Sequence, residues 1–344
     1  MTISQTQLAQ ISGFSRLTVS RVLAEQDGVS DQTRTKILHL AQQHRYRPNA
    51  AARAIRSNKT HQIGLLLCNS EDAPFTNPSA FEMMIGINNR LAQEGYMLVV
   101  VRIGDVLERL KHDSRVFRER SLDGIIISGL IPAPLMDYAR QLIPNCLFVD
   151  TNVWQPNDCI RRDEAAAGRM AAKALIEAGY RRLAWLGQLV EAVDCHYSLA
   201  DRYRGARAVA EEHGVVLEHI PDGLPITSQM YDDFVRRFNA ALSPDLGIVA
   251  YNTNLALNCM DAAMLHGRLP ARDFGLVCCE NSHTNFFHMP SLSSVLFDRF
   301  EMGKRAAEMM LNRLRSPDAP CPSIRIPCQW RAGGTMRGTD GSSL

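Results

Sequence analysis

Three residues near the N-terminus have the chemistry and the spacing to read base pairs. Arg16, Leu17 and Arg21 follow Ser15, a good helix cap, and would lie on the outer side of one short helix. An arginine can form two hydrogen bonds with guanine, and a leucine can contact the methyl group of thymine. Further DNA-contact candidates are the hydroxyl groups of Ser4, Ser15, Thr18 and Ser20. The alternative is that this polar surface is simply a solvated helix face.

A second stretch has the composition of a minor-groove element. Asn49 can cap a short segment in which Ala52 and Ile55 share one face, beside Arg53. A small residue next to an apolar wedge, flanked by arginines, can enter a minor groove and kink the duplex. A helix this short does not persist alone in water. A flexible, alanine-rich linker therefore remains open as the alternative.

The elements around these residues predict a helix-turn-helix. Ser4 caps a first helix, Gly13 interrupts it, and Ser15 caps a second helix over 16–24. In such a unit the second helix enters the major groove. Ser30 caps a third helix that ends near His44. The first 60 residues hold nine Lys or Arg and three acidic residues, which suits phosphate binding.

The rest of the chain alternates short apolar runs with helical patterns. Strands rich in Val, Ile and Leu that alternate with helices favour parallel sheets covered on both faces. Two such sheets fit better than one sheet of about ten or more strands. The expected strands are 63–68, 97–101, 124–128, 147–150, 183–187, 247–250, 275–279 and 294–297, and the expected helices include 81–94, 165–178, 203–213, 255–266 and 299–314.

Composition excludes several classes of protein. The 344 residues are 46% hydrophobic, as in ordinary globular proteins, and no apolar run reaches the roughly 18 residues that span a bilayer. We expect no membrane association. The N-terminus lacks the pattern of a signal peptide, so we expect a cytoplasmic location. The nine cysteines form no C-x-x-C pair and are interpreted as reduced core residues.

Catalytic and metal sites find little support in the sequence. Cys278, Cys279 and Glu280 lie near two histidines, but adjacent strand residues point to opposite faces, and the spacing fits no usual zinc pattern. The chain has no nucleophile elbow and no glycine-rich phosphate loop. We therefore expect no enzyme activity, no metal and no cofactor. A metabolic enzyme, or a binding protein whose N-terminal region has lost specific DNA binding, are the competing hypotheses.

The chain resembles the LacI/GalR family of transcription regulators. The resemblance is carried by six strings over about 50 residues, and it continues more weakly to the C-terminus: Leu8-Ala9, Gly13-Phe14-Ser15, Thr18 to Leu23, Val29-Ser30 with Thr33-Arg34, Tyr46-Arg47-Pro48-Asn49, and Ala52 to Ile55. It implies a ligand-responsive regulator, a repressor above all, that binds a pseudo-palindromic operator as a homodimer, with a tetramer as a further possibility. Ile55 stands where the family usually has a leucine wedge.

The same resemblance implies a domain plan. An all-α helix-turn-helix head over 1–47 and a hinge over 48–60 would precede an α/β core like the periplasmic binding proteins. That core would have two doubly wound parallel-sheet lobes. We expect the first lobe at 61–161 and 292–322, the second at 162–291 and 323–338, and a tail at 339–344. The chain would cross between lobes near Arg161, Ser291 and Ser323.

The expected effector site lies between the lobes, at the carboxyl ends of the strands. The resemblance places Arg202 and Glu280 in effector-contacting positions, and an arginine fork can hold a carboxylate or vicinal hydroxyls. The family often has an Asn-Asp pair where this chain has Thr253 and Asn254. This departure argues against sugar-type recognition on that side of the cleft. The remaining candidates are Asp163, which could instead cap a helix, and Phe75, which could simply pack in its loop. Arg202 could instead form a surface salt bridge. The sequence names no effector beyond a sugar or sugar derivative.

Overall fold

The structure, a computed structural model, describes residues 3–48, 54, 58–68, 78–103, 117, 119–131, 133–189, 196–221, 228–280 and 289–338. The chain forms two compact units, which we call the head (Met1–His61) and the body (Gln62–Leu344). No described helix is both long enough and apolar enough to cross a bilayer.

The head contains the three short helices that its serine caps predict. They are α1 (Gln5–Ser12), α2 (Arg16–Leu23) and α3 (Asp31–Gln43). Ser4, Ser15 and Ser30 each accept a hydrogen bond from a backbone N–H in the first turn of the helix that follows. Gly13 ends α1 with a φ of 75°, a left-handed conformation that glycine adopts without strain. The helix-turn-helix is therefore confirmed.

A small apolar core holds the three helices together. Its fully buried members come from all three helices, and they are Leu8, Val19, Val22 and Ile37. Val19 and Val22 occupy one face of α2, so the opposite face of that helix is left to the solvent. A core this small gives a marginally stable unit.

The body contains two six-stranded sheets of matching design. The first sheet has the order β11-β5-β4-β3-β1-β2, and the second has the order β12-β10-β9-β8-β6-β7. All pairs are parallel except β10 with β12. The first sheet comprises β1 (Gln62–Cys68), β2 (Met97–Ile103), β3 (Gly124–Gly129), β4 (Cys146–Thr151), β5 (Cys159–Arg162) and β11 (Ile324–Ile326). The second comprises β6 (Arg182–Leu186), β7 (Leu217–Ile220), β8 (Leu246–Ala250), β9 (Gly275–Cys278), β10 (Ser293–Phe297) and β12 (Cys328–Arg331).

Helices cover both sheets. They are α4 (Pro78–Ala92), α5 (Ala133–Leu142), α6 (Glu164–Glu177), α7 (Tyr197–Glu212), α8 (Ser228–Ala241), α9 (Thr253–Met264) and α10 (Arg299–Arg315). Side chains of α4 and α10 pack on one face of the first sheet, and those of α5 pack on the other. Similarly, α6 and α7 pack on one face of the second sheet, and α8 and α9 on the other. Each sheet with its helices is one lobe, as expected.

The chain crosses between the lobes later than predicted at two of three points. Strand β5 still belongs to the first sheet, so the first crossing follows Arg162. Strand β10 belongs to the second sheet, so the assignment of 292–322 to the first lobe is wrong for Ser293–Phe297. Likewise, 323–338 does not lie wholly in the second lobe, because Ile324–Ile326 pairs with β5 in the first. The second and third crossings therefore lie near Asp298 and Pro327.

All eight predicted strands are present, but four further strands within the described residues were missed. These four, β5, β7, β11 and β12, have only three or four residues each, and their charged or polar residues conceal the apolar pattern. Helix α7 begins at Tyr197 rather than at residue 203. Its first two turns bury polar residues such as Ser198 and Arg202, which conceal the apolar pattern. Helices α5 and α8 lie in gaps between strands where helices were expected without stated bounds.

Candidate functional site

The outer face of α2 carries the predicted base-reading residues. Arg16 and Arg21 are exposed, and the Leu17 side chain is 64% exposed. An apolar side chain held this far into solvent gains nothing for the fold of the head, so Leu17 is available to a partner. Val19 and Val22, on the opposite face of α2, are the residues that this helix buries.

The hydroxyl groups nearby are mostly engaged in helix capping. Ser15 Oγ accepts from the Thr18 backbone N–H at 3.1 Å and lies 2.9 Å from Thr18 Oγ1. Ser4 Oγ accepts from the Gln7 N–H at 3.2 Å, and Gln7 Oε1 accepts from the Ser4 N–H at 2.8 Å. Ser20 is half-buried. Ser4, Ser15 and Thr18 lie at or near helix N-termini, where anions are favoured.

Some predicted residues lie outside the part of the chain that the structure describes. They are the minor-groove candidates Asn49, Ala52, Arg53 and Ile55, together with Phe75. Their roles stay predictions.

The body has a second concentration of charge, at the carboxyl ends of its strands. Three arginines and three carboxylates from both lobes meet there, and we call them the crossing cluster: Asp150, Arg162, Glu164, Arg202, Glu280 and Arg299. Asp150 is the last residue but one of β4, and Arg162 is the last residue of β5. Glu280 follows the end of β9 by two residues. In doubly wound folds this end of the sheet is where ligands bind.

Arg202 and Glu164 form the most buried pair of the cluster. Arg202 Nε donates to Glu164 Oε2 at 2.5 Å and Nη2 donates to Oε1 at 2.8 Å, and both side chains are 0% exposed. Arg202 Nη2 also donates to Glu280 Oε2 at 2.9 Å, and Nη1 donates to the Tyr251 carbonyl at 2.6 Å. Such a two-bond arginine–carboxylate pair fixes geometry as well as charge.

Arg162 and Arg299 connect the lobes. Arg162 Nε donates to Asp150 Oδ1 at 3.1 Å, and its Nη1 lies 2.5 Å from Glu164 Oε1. Arg299 Nη1 donates to Asp150 Oδ2 at 3.3 Å, and Nη2 is bonded to Glu280. Because Asp150 belongs to the first sheet and Glu280 to the second lobe, these bonds tie the two lobes together at the crossings.

Two aromatic residues at the start of α7 complete this arrangement. The Tyr197 hydroxyl donates to Asp150 Oδ1 at 2.8 Å and accepts from the Arg162 backbone N–H at 3.0 Å. His196 Nε2 lies 3.0 Å from the Asp150 carbonyl, which can only accept, so Nε2 carries the proton. His196 Nδ1 accepts from the Ser198 N–H, which fits a neutral imidazole.

Burial and charge oppose each other at these groups. Burial would raise the pKa of the Asp150 carboxyl, but the charges of Arg162 and Arg299 and the hydrogen bond from Tyr197 outweigh it, so the pKa lies well below its usual range. Burial, with repulsion from Arg162, lowers the pKa of Arg299 to about 10. Burial also lowers the pKa of His196, although Asp150 opposes this. Asp150 and Arg299 are therefore charged at neutral pH.

The predicted effector residues occupy different environments. Arg202 and Glu280 lie within the crossing cluster, so Arg202 is not a surface salt bridge. Asp163 caps α6 by accepting from the Ala166 N–H at 3.0 Å. Thr253 is buried and donates to the Glu280 carbonyl at 2.5 Å, while Asn254 is exposed.

Four cluster members were missed by sequence reasoning: Asp150, Arg162, Glu164 and Arg299. Each stands at or just after the end of an apolar strand, or begins the next helix. A charged residue at that point was a usable signal, because carboxyl ends of parallel strands lie on one edge.

Both units match known families. Residues 6–49 match the bacterial regulatory proteins of the lacI family, and residues 172–336 match the periplasmic binding protein-like domain. The chain belongs to the LacI/GalR family of transcription regulators. Its relatives named below are regulators of transcription, not enzymes.

Repressors align with this LacI-family chain over nearly its whole length. It is 23% identical over 327 residues to the HTH-type transcriptional repressor PurR of Mannheimia succiniciproducens, covering 93% of this chain and 94% of the relative. It is also 23% identical over 321 residues to the ribose operon repressor of Escherichia coli K12, covering 90% and 92%.

Solved structures of the family share the fold. A lac repressor dimer bound to operator and the anti-inducer ONPF superimposes with a TM-score of 0.78 at 17% identity, covering 98% of this chain and 100% of the other. A LacI family regulator from Enterococcus faecium with bound ribose gives a TM-score of 0.66 at 17% identity, covering 80% and 98%.

Proposed function

We propose that this chain is a repressor whose homodimer binds a pseudo-palindromic operator and whose grip is controlled by a small molecule in the cleft between the lobes. One observation carries the proposal. The same chain has a helix-turn-helix with an exposed arginine-rich reading face and a two-lobed body with polar groups converging at its strand ends. Because its target is DNA of the cell, we place its action in the cytoplasm.

For DNA, the proposed roles divide by groove. Arg16, Leu17 and Arg21 read base edges in the major groove, and the N-termini of α1 and α2 hold phosphates. Residues that enter the minor groove are proposed to be Ala52, Arg53 and Ile55, after the cap Asn49. The short hinge helix would fold only on DNA, which is what makes it a switch.

The homodimer has support in the first lobe. Strand β2 lies at the edge of its sheet and exposes Met97 (65%) and Val100 (45%), and Phe81 on the adjacent α4 is 59% exposed. An apolar sheet edge of this kind favours a protein partner. The lac repressor structure named above is a dimer on its operator. We propose that a second copy of this chain covers this edge.

Selection of binding sites from random DNA, followed by fluorescence anisotropy, tests the proposal. The expected product is a site with two inverted half-sites, bound by a dimer at salt concentrations near physiological. If the selected pool shows no inverted repeat, the chain is not a sequence-specific dimeric repressor.

Arg16→Ala tests the reading role. We expect it to lose about 1–3 kcal/mol of binding at one base position and to relax specificity there. Lys173→Ala, which removes the same charge from an exposed site on the body, is the control and should leave the site preference unchanged. A loss of equal size on all sequences would make Arg16 a phosphate contact instead.

The proposed effector site is formed by Arg202, Glu280 and Thr253. Further candidates are Phe75 and Asn254, of which Asn254 is exposed. A thermal-shift screen against sugars, sugar phosphates, uronates and purines identifies the effector. A true effector must both raise the melting temperature and change operator affinity. A compound that does only the first is not the effector.

A further inference from the structure

Glu280 lies among three guanidinium groups. Its Oε2 accepts from Arg202 Nη2 at 2.9 Å, its Oε1 is bonded to Arg299 Nη2, and the same Oε1 lies 3.4 Å from Arg162 Nη1. Arginine forks from three different elements thus point at one carboxylate. This is the arrangement that proteins use to bind a carboxylate or a phosphate.

The other two carboxylates of the cluster are fixed more firmly. Glu164 is 0% exposed and accepts two bonds from Arg202, while Asp150 is 12% exposed and is held by Arg162, Arg299 and Tyr197. Glu280 is 18% exposed, which makes it the most accessible carboxylate of the three. Of the three carboxylates, Glu280 can therefore turn out of the cluster into solvent with the least rearrangement of its surroundings.

A positive charge remains when Glu280 is taken away. Among the residues that the structure describes, Asp150 and Glu164 are then the carboxylates that face the three arginines, so one buried positive charge exceeds its described counterions. A buried unpaired charge costs several kcal/mol. A neutral ligand that displaced Glu280 would bear that cost, whereas a singly charged anion would remove it.

Arg162 also presents a donor to the position that Glu280 occupies. Its buried Nη1 lies 2.5 Å from Glu164 Oε1 and 3.4 Å from Glu280 Oε1. An oxygen of an incoming anion that took the place of Glu280 Oε1 would meet the same nitrogen.

We infer that the effector of this regulator carries an anionic group, a carboxylate or a phosphate, which replaces the Glu280 carboxylate between Arg202, Arg299 and Arg162. The inference rests on the proposed function and names the chemical class of its ligand. In the free protein Glu280 acts as an internal substitute for that group. On binding, the ligand anion takes over the arginines, Glu280 turns towards water, and the balance of charge is kept.

The test uses the full-length protein with small probes. Binding of inorganic phosphate, acetate and the neutral D-glucose is measured by isothermal titration calorimetry for the natural sequence, for Glu280→Gln and for Glu218→Gln. Glu218 pairs with Arg182 on an exposed part of the second lobe, so its substitution removes a carboxylate from an arginine outside the cluster. Glutamine keeps the shape of Glu280 and removes its charge.

We expect Glu280→Gln to bind one of the two anions at least about tenfold more tightly than the natural sequence, a change of about 1.4 kcal/mol. Glu218→Gln should leave anion affinity unchanged. Tightening for phosphate assigns a phosphate-bearing effector, and tightening for acetate assigns a carboxylate. Circular dichroism and the melting temperature establish that Glu280→Gln is folded.

Arg299→Gln is the second variant, and it should weaken anion binding about tenfold or more. Unchanged anion affinity in both Glu280→Gln and Arg299→Gln overturns the inference. It is also overturned if a neutral sugar releases the operator and Glu280→Gln weakens that sugar, because Glu280 would then be a ligand rather than a substitute for one. In that outcome the proposed repressor function stands, since operator release itself has been observed.

Discussion

At the residue scale, the main feature of the body is the crossing cluster, in which three buried arginines pair with three carboxylates. Arg202 has no exposed surface, and its guanidinium bonds two carboxylates and a backbone carbonyl. Burial by itself would lower the pKa of Arg202, but Glu164 raises it above the ordinary value. Removal of one partner from such a pair leaves the other as an uncompensated charge, which is far more damaging than loss of a surface pair.

Arg202→Ala should therefore destabilise the body by about 3–5 kcal/mol, because the fully buried Glu164 loses its two-bond partner. Arg182→Ala, which breaks the exposed pair with Glu218, should cost no more than about 1 kcal/mol. Urea unfolding of the full-length variants measures both. Equal costs for the two variants would contradict the assignment of Arg202 to a desolvated network.

His196 gives the body a pH dependence with a definite sign. Burial lowers its pKa below the ordinary 6.5, so the unfolded chain takes up a proton before the folded chain does. Stability from this group is complete above pH 6.5 and is lost as the pH falls below that value. The slope for one proton is at most about 1.4 kcal/mol per pH unit.

His196→Asn should accordingly flatten the fall in unfolding free energy between pH 6.5 and pH 5. Tyr197→Phe is the matched variant, because it removes the neighbouring hydroxyl and keeps the buried imidazole. It should retain the slope. Denaturation at four pH values across this interval is sufficient, and an unchanged slope in His196→Asn would exclude the imidazole as its source.

At the element scale, close packing of α6 and α7 positions the arginine–glutamate pair. A Cβ added to Gly168 would lie 1.9 Å from the Arg202 carbonyl oxygen, and one added to Gly205 would lie 2.1 Å from the Ala165 carbonyl oxygen. Only glycine permits the two backbones to approach this closely. The approach places Glu164, in the first turn of α6, beside Arg202 in α7.

Gly168→Ala reverses the usual effect of this substitution in a helix. In an open helix interior, alanine is more stable than glycine by about 1 kcal/mol. At position 168 the methyl group would force the helices apart, and we expect a loss of about 1–3 kcal/mol. Lys173→Ala on the exposed side of α6 should change stability by no more than about 0.5 kcal/mol. A stabilised Gly168→Ala protein would show that the helices can separate freely.

Secondary structure was predictable to different degrees in the two units. The helices of the head were located to within a residue or two, because Ser15 and Ser30 satisfy backbone N–H groups in their own neighbourhood. The long apolar strands of the body were found for a similar reason. Short strands such as β7 and β11 were missed, since only their neighbours in the sheet stabilise them.

At the scale of the whole molecule, one chain carries two sites in two separately folded units. The proposed reading face lies in the head, and the crossing cluster lies in the body, where the chain passes between lobes three times. A ligand that shifts the lobes can control DNA binding only through a difference in free energy between two states. Such a coupling is necessarily reciprocal.

The effector and the operator should therefore change each other's affinity by one factor. The operator dissociation constant is measured with and without saturating effector, and the effector dissociation constant with and without saturating operator. Both ratios should agree, and values of about 5–150 are typical of such systems. Arg16→Ala serves as control, because it should bind the operator weakly. At the operator concentration used for the natural sequence, its effector affinity should stay near that of the DNA-free protein. Unequal ratios would mean that effector and operator do not act through one shared equilibrium.

The sequence by itself determined the helix-turn-helix, the alternation of strands and helices, and the family. These depend on caps, periodicity and short motifs, which act over a few residues. Only the tertiary structure decided the crossing cluster. Arg299 meets Asp150 across 149 positions of the chain, because parallel strands bring their carboxyl ends to one edge of the sheet. An ion pair depends on distance and burial in space, and neither is written in the local sequence.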